Sequence, residues 1–128
     1  EDDRLPEVLF VEHRVNTPIP DLGEMEDTIP FPLDVAPREV AINVEIKHTW
    51  RGDLRLILRT PGGAEIVLQE RSGAGEDDLV RSYRSTDAHE LFEPVLGASA
   101  QGAWGLRVQD MAARDVGVLT KWGVAVTY

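Results

Sequence analysis

Cysteine is absent from the 128 residues of this chain. Its absence excludes thiol nucleophiles, disulfides and cysteine-held zinc. Basic side chains are scarce: 13 Lys and Arg stand against 23 Asp and Glu, for a formal net charge of −10. Those cations are scattered singly, whereas a surface that tracks phosphates needs them clustered, so nucleic acid and anionic membranes are disfavoured as partners. No run approaches the roughly twenty consecutive apolar residues that a helical membrane span requires. Neither Gly-x-Ser-x-Gly nor Gly-Thr-Ser occurs, so no serine sits in a nucleophile context. The His-x-x-x-His spacing of many zinc sites is missing as well. The chain opens at Glu1 with neither an initiator methionine nor a signal-peptide pattern, as expected of a piece of a longer, processed protein.

Apolar residues make up 42% of the chain, too many for a disordered polypeptide despite the charge. A single domain of this length buries roughly two-thirds of the surface its unfolded chain exposes, enough for a core without covalent staples. The periodicity is two almost throughout. Val40, Ile42, Val44, Ile46 and His48 share one face of a strand, and Asn43, Glu45 and Lys47 the other. Leu54–Arg59 and Ala64–Gln69 read as two more strands, linked by the Thr60-Pro61-Gly62-Gly63 turn, where proline fixes φ and glycine supplies positive φ. The three are expected to form an antiparallel meander. Further strands are predicted over Trp104–Val108 and Trp122–Tyr128, with weaker ones at Val8–Val11, Phe31–Val35 and Leu79–Arg84. Pro30 and Pro32 would confine the Phe31 segment to a sheet edge. Glu76–Glu93, free of Gly and Pro, carries a helical alternative: a single turn near Ala88–Phe92, with Asp87 and Glu90 as its cap. Ser72–Asp78 reads as an exposed loop. About eight short strands with frequent Gly and Pro breaks favour an all-β architecture, a two-sheet sandwich.

Two blocks then carry a family likeness. The first is His48-Thr49-Trp50-x-Gly52-Asp53-Leu54-x-Leu56-x-Leu58-x-Thr60-Pro61-x-Gly63, followed by Leu68 and Arg71. The second is Phe92, Gly97, Gly102-x-Trp104-x-Leu106-x-Val108-x-Asp110, then Asp115-x-Gly117-x-Leu119-x-x-Trp122. With the entry Ile19-Pro20-Asp21, they resemble the P domain (P/Homo B domain) of kexin- and furin-type proprotein convertases and of many secreted bacterial proteases. The likeness spans Thr17 to Tyr128, so residues 17–128 are expected to form the domain and residues 1–16 a linker or an added N-terminal strand. The sequence departs from the family at Thr60-Pro61-Gly62-Gly63-Ala64, where Ser-Pro-x-Gly-Thr is usual, and in its more acidic Glu76-Asp77-Asp78 segment. The resemblance implies a jelly-roll-like antiparallel β-sandwich. It also implies a non-catalytic, extracellular accessory role: packing against a subtilisin-like catalytic domain in the same polypeptide and stabilising it. The competing expectation is a stand-alone module that binds carbohydrate or a protein ligand.

The candidate chemistry is weighed on the residues themselves. His48 ends a strand in phase with its apolar face and is expected to be a hydrogen-bonded structural histidine; His13 and His89 are expected to face solvent. Calcium takes several carboxylate and carbonyl oxygens, and Asp21, Asp53, Asp110 and Asp115 fall at turns or strand ends where carbonyls are free, with Glu24, Glu26 and Asp27 behind them. Capping of local turns is the competing role for these aspartates. Trp104 and Trp122 are in phase with core residues. Trp50, beside a turn, is the candidate for an exposed sugar-stacking contact.

Overall fold

The computed structural model describes residues 5–48, 54–70, 78–111 and 117–128. Eight strands and one helix run in the order β1 (Val8–Ile19), β2 (Glu24–Phe31), β3 (Glu39–His48), β4 (Leu54–Arg59), β5 (Glu65–Glu70), β6 (Leu79–Arg84), α1 (His89–Leu96), β7 (Gly102–Asp110) and β8 (Gly117–Thr127). They form two four-stranded sheets of order β1-β8-β3-β6 (sheet A) and β2-β7-β4-β5 (sheet B), with every pairing antiparallel. Consecutive strands β1–β2, β2–β3 and β3–β4 alternate between the sheets, and this interleaving is that of a jelly roll.

The sheets press their apolar faces together. Ile42, Ile46, Trp122, Val124 and Val126 of sheet A meet Ile29, Leu54, Leu56, Leu58, Trp104, Leu106 and Val108 of sheet B, all buried. Full burial of one such side chain stabilises by roughly 1.5–3 kcal/mol before costs. The Trp104 indole N–H donates to the Ala100 carbonyl at 2.9 Å, and its ring meets Phe31 edge-on at 6.5 Å. Both tryptophans of the closing strands are therefore sealed in the core, as their phase predicts.

Four expectations are corrected. The meander does not form: β4 and β5 make a hairpin in sheet B, but β3 leaves for sheet A, between β6 and β8. The first strand is longer than Val8–Val11 and runs to Ile19 against β8, with a register shift between Arg14 and Thr17. The Phe31–Val35 strand is displaced: β2 ends at Phe31, and residues 32–36 are not extended partners of either sheet. Finally, α1 is longer than one turn and passes through Pro94. Burial of Phe92 and Val95 on one side of the helix offsets the backbone bond that a mid-helix proline removes. Its N-cap is Ala88, with no side-chain cap, so Asp87 does not serve there. The Thr60–Gly63 turn forms as expected, with Gly63 N–H bonded to the Thr60 carbonyl at 2.9 Å and Gly63 at φ +94°.

Candidate functional site

One end of the sandwich gathers residues from both sequence blocks. Inward alternation along β3 carries His48 into the core at the strand's last position, and β7 ends on Asp110 by the same logic. Their side chains are fully buried, with His48 Nε2 3.6 Å from Asp110 Oδ2. Gly117, the first residue of β8, pairs with His48 on one side and Ile19 on the other. A Cβ on Gly117 would lie 2.5 Å from His48 Cδ2 and 2.9 Å from the Lys47 carbonyl oxygen. Glycine is needed there because the imidazole occupies that space. Asp78 closes the edge: its Oδ1 accepts from His48 N–H at 2.9 Å, and its own N–H donates to the His48 carbonyl at 2.8 Å. Asp110 N–H donates to the Gly23 carbonyl at 2.9 Å, tying β7 to the β1–β2 turn. Thus the spaced signature residues His48, Asp110 and Gly117 mark one packed junction.

Of the four aspartates considered for calcium, the structure places two at this end. Asp21 is exposed in the β1–β2 turn, and Asp110 is buried against His48. Asp53 and Asp115 lie outside the described residues. A calcium ion needs six to eight oxygens, and among the described residues no group of three or more His, Asp or Glu side chains could hold a metal ion. The acidic cluster behind these aspartates has other work. Glu24 and Glu26 face outward from sheet B, where Glu26 pairs with Arg59, and Asp27 faces inward.

His48 takes the buried structural place expected of it, and His89 is exposed. His13 departs from expectation: it is half-buried, with Nδ1 3.0 Å from Asp27 Oδ2. The same oxygen accepts from the Trp122 indole N–H at 2.7 Å. This three-residue link joins β1, β2 and β8 along one open side of the sandwich. Its sequence signal was the inward phase of His13 with Leu9 and Val11, which the weak strand assignment concealed. Trp50 lies outside the described residues, as does Arg71. The buried Trp104 and Trp122 offer no exposed ring for stacking sugars.

The two outer faces differ in kind. Sheet B's is tiled by opposite charges: Arg55 to Glu70 at 2.6 Å, Arg107 to Glu65 at 3.3 Å and to Glu24 at 3.8 Å, with Arg59 on Glu26. Gln109 fills the gap, accepting from Arg55 and donating to Glu24. Sheet A's outer face is floored by Ala41, Gly123 and Ala125 and bounded by exposed Phe10 and Val80. Period-two patterning shows which side chains leave the core, but only strand order shows which of them become neighbours.

A family model described as "Proprotein convertase P-domain" matches residues 37–126. The matched range begins after β2, so the Ile19-Pro20-Asp21 entry and both first strands lie ahead of it. The leupeptin-inactivating enzyme 1 of Streptomyces exfoliatus is 39% identical over 89 residues, which are 70% of this chain and 18% of that protein. A calcium-dependent protease of Nostoc is 31% identical over 105 residues, 80% of this chain and 16% of that protein. This chain therefore spans less than a fifth of the length of these relatives. Among solved structures, the Aeromonas sobria serine protease, crystallised with its chaperone, superposes on 97% of this chain and 27% of its own with a TM-score of 0.77 at 19% identity, a likeness of fold.

Proposed function

Because this chain belongs to the proprotein convertase P-domain family, we propose that it is the accessory domain of a secreted, subtilisin-like serine protease, stabilising the catalytic domain through an interdomain interface. The observation that carries this reading is the use made of the signature residues. His48, Asp110, Gly117, Trp104 and Trp122 all serve the packing of two sheets. The size relation supports the same reading, since the relatives that contain such a region are several times longer and are named as proteases or as an inactivating enzyme. No described helix is long and apolar enough to cross a membrane.

In this role the domain contributes contact area rather than chemistry. An interface stabilises by roughly 25 cal/mol per Å² of apolar surface buried, less the costs of ordering and desolvation. The test is thermal melting of the full-length protein and of a version lacking this domain, followed by inhibition with an active-site serine reagent. The expected result is a lower melting temperature for the shortened protein and loss of activity with the reagent. Equal melting temperatures would overturn the stabilising role, and resistance to the serine reagent with sensitivity to a chelator would overturn the choice of protease class.

A further inference from the structure

We propose that the outer face of sheet A is the surface on which the protease domain of the same polypeptide docks; this rests on the accessory role proposed above and assigns that role a place. The face is built from alternate residues of all four strands. β1 contributes Val8, Phe10 and Glu12, β8 Lys121, Gly123 and Ala125, β3 Ala41, Asn43 and Glu45, and β6 Val80, Ser82 and Arg84. Val8, Phe10 and Val80 are 62%, 45% and 71% exposed, whereas the outer face of sheet B exposes Val67 at 38% as its large apolar side chain among the described residues. Between them the floor is low. Ala41 pairs with Ala125, and Gly123, opposite Asn43, is so closely roofed by the Phe10 ring that a Cβ there would lie 2.5 Å from it. The result is two shallow depressions on one face. One, of about 410 Å³, lies between Phe10, Asn43, Val80 and Lys121. The other, of about 270 Å³, lies over Ala41, Ala125 and Arg84.

Apolar exposure, not desolvation, distinguishes this face from the opposite one. Docking on sheet B would bury the Arg–Glu lattice, and sheet A's outer face carries charges as well, with Lys121 Nζ 3.9 Å from Glu12 Oε2, so either face takes ions out of water at roughly several kcal/mol each before any return. Only on sheet A's face do Val8, Phe10 and Val80 together offer apolar area to set against that cost. Its cations Arg14, Lys47, Arg84 and Lys121 are interspersed with Glu12, Glu39 and Glu45, so a chain of net charge −10 presents there a patch without an acidic excess. The occupant follows from tethering. This chain is under a fifth of the length of its relatives, so a partner in the same polypeptide meets it at an effective concentration on the order of millimolar. A modest face, near 800 Å² per partner or less, then suffices without the affinity a separate protein would need.

The experiment compares charge insertions on the two outer faces in the full-length protein. Val80→Lys and Ser82→Arg place bulk and charge on sheet A; Thr28→Arg and Val67→Lys do so on sheet B. Melting of the protease is the readout, and amide hydrogen exchange of β4 and β7 verifies that the sandwich is intact in each variant. The expected result is a fall of about 4 °C or more for the sheet A pair and less than half of that for the sheet B pair, with β4 and β7 protected in both. The reverse order overturns the assignment and leaves the accessory role standing. No change from either pair, while deletion of the whole domain lowers the melting temperature, moves the contact off both faces and also overturns the assignment. No change on deletion overturns the accessory role and the docking face together.

Discussion

His48 Nε2 and Asp110 Oδ2 stand 3.6 Å apart with both side chains fully buried, one from each of the two sheets. The pair links the strand ends that the family signature marks. Taking two ionisable groups out of water is repaid only while both are present, and deleting one leaves the other exposed to the full desolvation penalty. Asp110→Ala is therefore expected to destabilise the domain by about 3 kcal/mol, and His48→Ala by a similar amount. Urea unfolding of both single variants and the double variant checks this. The double variant should lose distinctly less than the two singles summed, and additive losses would show that the two side chains are not coupled.

Gly117 is the steric counterpart of that pair. Gly117→Ala puts a methyl 2.5 Å from the His48 ring, and overpacking of this kind costs about 1–3 kcal/mol. Part of the loss should disappear in a His48→Ala background, because the ring is then gone. The Lys47 carbonyl, 2.9 Å away, keeps the rescue incomplete. The midpoints of four urea curves, wild type, each single variant and the double, measure it.

Asp27 holds Trp122 and His13 through one oxygen, at 2.7 Å and 3.0 Å. Asp27→Ala leaves the buried indole N–H without this acceptor, at a cost of about 1–3 kcal/mol. Trp122→Phe in the Asp27→Ala background removes the donor too, so the penalty for losing the bond should not be paid a second time. Chemical denaturation of the two singles and the double gives the coupling, and a coupling near zero would mean the bond contributes nothing.

The lattice on sheet B should behave in the opposite way. Arg107 reaches Glu65 and Glu24 with its side chain a quarter exposed, and pairs at such a surface contribute at most about 1 kcal/mol. Arg107→Gln is expected to shift the urea midpoint only slightly, and added salt should shrink the difference further. A loss comparable to that of Asp110→Ala would mark this face as a structural element.

What the sequence determined by itself is whatever depends on near neighbours along the chain. Alternation over Val40–His48, Leu54–Arg59 and Trp104–Val108 set the strands and their inward faces, because side chains two apart share a side whatever the partner strand. The Thr60–Gly63 turn was legible for the same reason. The ordered signature of both blocks pointed to the P-domain family. Partners were another matter. That β3 pairs with β8 and not with β4, that His48 meets Asp110, and that Asp27 turns inward beneath Trp122 depend on contacts between residues tens of positions apart. Many pairings satisfy the same alternation, and only the closing of two sheets over one core selects among them. β2 was overlooked because Glu24, Glu26 and Asp27 look like a loop until Arg59, Arg107 and Trp122 are brought beside them. The helix through Pro94 is a local preference overruled by the burial of Phe92 and Val95, a burial that exists only once the sandwich has formed.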